Sequence, residues 1–214
     1  MKAEKIDIPL VDRLKGIPGV FGIRLGEEAR YEVLKVDGAF EIRQYDDLVV
    51  ATTNVVGNFR RASEEGFMRL AGYIFGHNHT HENFPMTRPV LQNPERRKIS
   101  MTTPVLQNQE AGGWTMSFVL PTTEKFSAAP HPDDDRVKLR PVASQCWAVL
   151  RYTGRTDEKE MRLKERELRE WISDNASLKP TDDVRWAQYD GPMTIPFLRK
   201  NEVQIRVEAE TRFQ

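Results

Sequence analysis

The stretch LVVATTNVVGNFRRASEEGFMRLAGYIFG, Leu48–Gly76, writes a strand, a helix cap, a helix and a helix stop in succession. Its first part is β-branched and ends at Gly57-Asn58, where an asparagine side chain can accept a free backbone N–H of a following helix. The helix is therefore predicted to start near Phe59. From there Phe59, Ala62, Gly66, Phe67, Leu70, Tyr73 and Ile74 recur at helical spacing, while Arg60, Arg61, Glu64 and Glu65 turn away. Gly76 supplies the C-terminal stop.

Working outward, YEVLKVDGAFEIRQY (Tyr31–Tyr45) alternates with period two around Asp37-Gly38, which predicts a hairpin with its turn there. Downstream, KISMTTPVLQNQ and WTMSFVLP read as extended segments, the second placing Trp114, Met116, Phe118 and Leu120 on one face. The same order then recurs. VKLRPVASQCWAVLRYTG (Val137–Gly154) reads as a strand pair, and Asp157 with Glu160 caps a second helix. Its stripe is Met161, Leu168, Trp171 and Ile172, with Glu160/Lys164 and Glu165/Arg169 as surface pairs. VRWAQYD and TIPFLRKNEVQIRVE close the chain as strands. Two units of strands, helix and strands imply two halves about a pseudo-twofold axis, joined in one curved sheet or distorted barrel, with the helices flanking a groove.

A chain of 214 residues with 39% apolar content can bury a real core. Thirty-two basic residues balance thirty-two acidic ones, so no global field gathers nucleic acid or an anionic membrane surface. The expectation is a protein with no nucleic-acid or membrane partner. The N-terminus lacks a continuous apolar run, and no eighteen apolar residues occur together, from which a soluble, cytoplasmic protein is expected. Cys146, the single cysteine, sits in the apolar run SQCWAVLRY and reads as a small buried hydrophobe.

Between the two units the chain writes nearly one octapeptide twice: MTRPVLQN from Met86 and MTTPVLQN from Met101. Pro89 and Pro104 lack an amide donor and suit an edge or a strand start, so the copies form either a surface hairpin or a lid over the groove. His77, His79 and His81 precede the first copy at alternate positions, so an extended backbone would point all three one way. Imidazole is a ligand for heme iron, zinc or copper, yet no CxxC or HExxH supports a built site; a solvated turn is the competing reading. His131 in APHPDDDRV reads as a solvated loop. There is no G-x-S-x-G, G-x-G-x-x-G or P-loop, and Glu41, Glu110 and Glu202 are the carboxylates available for acid or base work.

YEVL, FEIRQY, EGFMRLAGYIFG, KISMTTPV, FVLP, AVLRYTG and YDGPMTIPFLRKNEV, in this order from Tyr31 to Val207, resemble the SOUL family of heme-binding proteins. The resemblance implies an α+β fold: a distorted β-barrel of two pseudo-symmetric repeats flanked by two helices, similar to the GyrI-like small-molecule-binding domains. It also implies that heme or a related tetrapyrrole binds in a shallow hydrophobic groove. Some members carry a histidine, proposed as an axial iron ligand, where this chain has Gln44, so axial ligation is not expected at that position. The resemblance divides the chain into an N-terminal extension, 1–30, and a heme-binding domain, 31–208.

The candidate tetrapyrrole-binding residues are Arg43, Gln44, Phe59, Phe67, His77, His79, Arg97, Lys98, Met101, Pro104, Phe118 and Trp186, with His77, His79 and His81 as candidate metal ligands. Arg43, Arg97 and Lys98 are the cations a propionate would meet. The expected function is a carrier or buffer rather than a catalyst. The alternatives are an enzyme acting on a tetrapyrrole or other small hydrophobic molecule in the same groove, and a protein-interaction module. Assembly into a homo-oligomer is left open.

Overall fold

The structure is a computed structural model and describes residues 28–79, 99–100, 102–110, 112–155, 157–190 and 194–209. Strands β1 (Tyr31–Asp37), β2 (Phe40–Tyr45) and β3 (Leu48–Val56) lead to helix α1 (Phe59–Ile74). β4 (Asn78–His79), β5 (Val105–Glu110), β6 (Gly113–Val119), β7 (His131–Pro132), β8 (Val137–Val142) and β9 (Gln145–Thr153) follow, then helix α2 (Glu158–Ser173). β10 (Leu178–Gln188), a single 3-10 turn (Pro196–Leu198) and β11 (Lys200–Ala209) complete the described chain.

Both helices begin and end where their sequences say. Asn58 is extended and its carboxamide oxygen accepts the Arg61 N–H at 3.0 Å; Asp157 takes the Glu160 N–H at 2.9 Å in the same way. Past α1, Gly76 has φ +108°, in the left-handed region that favours glycine, and the His77 N–H returns to the Gly72 carbonyl at 2.9 Å. α1 buries Phe59, Ala62, Leu70, Tyr73 and Ile74 against the sheet. A Cβ on Gly66 would lie 3.2 Å from that of Met116, so the glycine lets the helix sit close on β6. α2 buries Met161, Leu168 and Ile172, and Trp171 stacks on Phe40 with centroids 5.0 Å apart. On its surface the Glu165–Arg169 pair forms as predicted, whereas Lys164 reaches Glu167 rather than Glu160.

Nine antiparallel strands form one sheet in the order β1-β2-β9-β11-β10-β5-β6-β3-β8. Two expectations change here. The first hairpin turns at Gly38-Ala39, because Asp37 already pairs with Phe40. More important, the two strands before each helix do not pair with one another: β2 pairs with β9, and β3 with β8. β2 and β3 therefore lie near opposite ends of the sheet, although only Asp46 and Asp47 join them, a link that spans about 11 Å at most. The sheet must curl until its ends approach. The corner is held by Ser144, whose N–H donates to Asp47 Oδ1 and whose hydroxyl donates to the Tyr45 carbonyl, each at 2.7 Å.

The curled sheet is open, not the closed distorted barrel of the expectation: among the described residues no ladder joins β1 to β8. Both edges discourage closure. β1 shifts register between Val33 and Lys35, and β8 carries Pro141, which has no N–H to donate. The outer face carries the helices, α1 on β3, β6 and β8 and α2 on β9, β10 and β11. The inner face wraps around Tyr45, Leu48, Val50, Leu106, Val119, Trp147 and Val149.

Candidate ligand groove

α1 leaves one flank uncovered where β5 meets β10. The two strands pair through Gln107↔Trp186, Leu106↔Ala187 and Val105↔Gln188, so Val105, Gln107 and Gln188 present their side chains on the helix face. A groove of about 570 Å³ lies over this seam. Phe59, Ser63, Phe67 and Met68 of α1 form one wall; Val105, Gln107 and Met116 form the floor; Gln188, Tyr189, Asp190, Arg199 and Asn201 form the far end. Its volume falls within the roughly 300–1,000 Å³ of small-molecule sites.

α2 contributes no lining residue, contrary to the expectation that both helices flank the groove. The reason is an aromatic plug. Phe59 meets Trp114 edge-on at 5.0 Å and Trp114 leans on Trp186 at 5.5 Å, filling the space toward α2.

The polar groups of the groove are mostly satisfied within the protein. Gln107 donates to Ser63 Oγ at 3.2 Å, and Asn201 to the Gly154 carbonyl at 3.1 Å. Asp190 Oδ2 accepts the Lys200 N–H at 2.7 Å, and Arg199 Nε donates to the Thr194 carbonyl at 2.8 Å. The Tyr189 hydroxyl turns through the sheet to Glu202 at 2.8 Å; burial first, and then the Glu202 charge, push the phenol well above its ordinary value. What remains for a ligand is an apolar wall, neutral amides, the unpartnered hydroxyls of Thr102 and Thr103, and the charged groups of Arg199, Asp190 and Glu64. The described lining residues include no imidazole and no thiol; the sulfurs are the thioethers of Met68 and Met116.

The predicted residues divide by face. Phe59 and Phe67 line the groove, and Phe118 supports it from below, edge-on to Phe67 at 5.5 Å. Pro104 is buried between the lining residues Thr103 and Val105. Trp186 is 2% exposed and belongs to the core under α2 rather than to the groove surface. Gln44 donates to Ser144 Oγ at 2.8 Å, at the corner of the sheet.

Arg43 is on the inner face and does not line the groove. It makes a two-pronged bond to Glu202, 3.0 Å on each arm, and donates Nε to Glu41 at 2.6 Å. Alternation along β2 places Ile42 toward α2 and Arg43 inward, a distinction invisible while the pairing of β2 was unknown. Of the three candidate carboxylates, Glu41 and Glu202 belong to this inner network.

His77 and His79 sit on the far flank of α1. The exposed ring of His77 borders a second cleft, of about 600 Å³, with Arg69, Tyr73, Asp134 and Arg136. His79 pairs across to His131, ring centroids 6.0 Å apart, and its Nδ1 lies 2.8 Å from Asp133 Oδ1. Among the described residues no three His, Cys, Asp or Glu side chains converge as a metal site. His81, Arg97, Lys98 and Met101 lie outside the described residues, as do the first octapeptide copy and the choice between hairpin and lid.

Met68, Gln107, Met116, Gln188 and Arg199 were not foreseen. Met68 left a trace, an apolar residue on the charged side of α1. Gln107 and Gln188 meet only because β5 and β10 pair.

The profile of the SOUL heme-binding protein family matches residues 26–206. Heme-binding protein 1 of Xenopus laevis is 27% identical over 167 residues, covering 77% of this chain and 82% of its own length. Among solved structures, the EcmrR C-terminal domain aligns with a TM-score of 0.52 at 13% identity, over 84% of this chain and 98% of that one. A hydrolase from Listeria innocua aligns with a TM-score of 0.51 at 11% identity, over 81% and 94%. These two show a shared fold. No helix among the described residues is long and apolar enough to cross a membrane. With the family profile spanning nearly the whole described sheet and both helices, this chain belongs to the SOUL heme-binding protein family.

Proposed function

We propose that this chain is a carrier or buffer that holds heme or a related tetrapyrrole in the groove over the β5–β10 seam. The observation that supports the reading is the apolar wall of Phe67, Met68, Val105 and Met116 beside a groove of about 570 Å³. These side chains suit a planar apolar ring; the charge of Arg199 at the far end suits its carboxylates. Iron, when bound, would bring its own ligand-exchange and redox chemistry. The protein's part is to bury one face of the ring, and affinity comes from that burial. At roughly 25 cal/mol per Å² of apolar area, micromolar binding needs no iron bond.

The domain is taken as 31–208 with an extension at 1–30, working in the cytoplasm. Its halves are read as repeats. Replacing β2, β3, β5, β6 by β8, β9, β10, β11, and the reverse, turns the strand order from β2 to β8 into its own mirror, which supports a pseudo-twofold axis through the β5–β10 seam.

The test is an absorbance titration with hemin and with metal-free protoporphyrin. Both are expected to bind, with affinities within about threefold of each other, a difference of under 1 kcal/mol. Met68→Glu is expected to weaken both at least about tenfold by placing a charge on the apolar wall. His77→Ala with His79→Ala and His81→Ala is expected to weaken hemin by less than about tenfold. Loss of hemin alone in the triple variant would assign the iron to that segment, and turnover of the bound ring to a new absorbing species would make the protein an enzyme.

A further inference from the structure

We propose that Phe197 and Leu198 form a membrane-contact tip through which the mouth of the groove meets an anionic lipid bilayer. The proposal rests on the groove reading, because a ring that partitions into lipid gives the groove a reason to open toward one.

Phe197 is 71% exposed, the most exposed aromatic among the described residues, and Leu198 beside it is 38% exposed. They are not held out by slack. The Leu198 N–H donates to the Ile195 carbonyl at 2.9 Å, Arg199 Nε to the Thr194 carbonyl, and the Gly154 N–H to the Arg199 carbonyl at 3.3 Å. A tied turn thus holds two large apolar side chains in water. The next residue, Arg199, lines the groove, and Met68 on the opposite lip is 47% exposed.

Behind the tip the charge is locally positive, although the whole chain is neutral. Arg155 is exposed, and Arg199 and Lys200 are half-buried at the base of the turn. Asp190, the nearby carboxylate of the groove, accepts the Lys200 N–H and keeps its charge, which these three cations outnumber. Apolar side chains in front with cations one layer behind match the boundary between acyl chains and anionic headgroups. Net charge alone, from which no membrane contact was expected, does not register this local arrangement.

The experiment is co-sedimentation of the full chain with phosphatidylcholine vesicles, with and without phosphatidylglycerol, beside a hemin titration in solution. The wild type is expected to partition onto the anionic vesicles and to be released by salt. F197S/L198S, two surface changes, is expected to lose at least about tenfold in partitioning while its hemin affinity in solution stays within about twofold. Wild type that ignores anionic vesicles, or a variant that binds them equally, overturns the proposal. So does a wild-type dimer in ultracentrifugation that the variant abolishes, which gives the tip to a second copy. Tip-dependent partitioning without hemin binding would leave the tip standing and bring down the groove reading.

Discussion

The backbone N–H of Phe59 donates to Oε1 of Glu158 at 3.1 Å, so the first residue of α1 is satisfied by the side chain of the first residue of α2, 99 positions away. With Asn58 taking the Arg61 N–H, two of the four unpaired donors at the start of α1 have partners. Glu158→Ala is expected to lower stability by about 1 kcal/mol, and the melting temperature by roughly 2–4 °C. Glu158→Gln keeps an acceptor oxygen and should lose less. Equal melting of wild type and the alanine variant would show that the link contributes nothing.

The inner-face pair Arg43–Glu202 is buried on both sides, with each side chain 2% exposed or less. Burial weighs against the arginine's charge, yet the Glu202 contacts outweigh it and hold the guanidinium above its ordinary value. Tyr189 and Gln204 also bond Glu202, so removing one partner strands several groups. Arg43→Met is expected to cost about 3–5 kcal/mol in urea unfolding. Adding Glu202→Leu should recover part of that loss; strictly additive losses would contradict the coupling.

Asp134, at the second cleft, accepts from Arg136 at 2.9 and 2.7 Å. The Arg136 hydrogen bond holds its carboxyl at about 2, below the ordinary 3.8. A folded-state value below the unfolded one stabilises the protein above about pH 4, and this contribution disappears as pH falls toward about 2. The carboxylate is 32% exposed, so solvent keeps the effect small. In Arg136→Ala the Asp134 carboxyl should titrate nearer 3.8 by NMR; an unmoved titration would assign the depression elsewhere.

Cys146 is half-buried, and burial raises its thiol above the ordinary 9.0. Alkylation by iodoacetamide near neutral pH is expected to be slow, to quicken as pH rises, and to become fast only on unfolding. Fast labelling of the native protein would contradict this placement.

A Cβ on Gly113 would lie 2.4 Å from the Val55 carbonyl oxygen and 3.0 Å from the Val56 Cα, both backbone atoms. Gly113→Ala should therefore cost about 1–3 kcal/mol by forcing β6 from β3. Native-like stability in denaturant would mean that the strand end yields freely.

The sequence by itself determined the local elements and the family. Helix starts at Asn58 and Asp157, the stop at Gly76 and the buried stripes of both helices were legible because capping and periodicity act within a few residues. Phe59 and Phe67, which line the groove, belong to a helix face that the sequence displays whole. Only the tertiary structure decided which strands meet. That β2 joins β9, β3 joins β8 and β5 joins β10 rests on contacts between residues tens of positions apart, for which neighbouring side chains carry no signal. Those pairings turned Arg43 inward, put Gln107 beside Gln188 in the groove floor, and left His77 on the far flank of α1. In a strand, a single-residue change of facing moves a side chain to the other side of the sheet, and long-range pairing alone fixes which side that is.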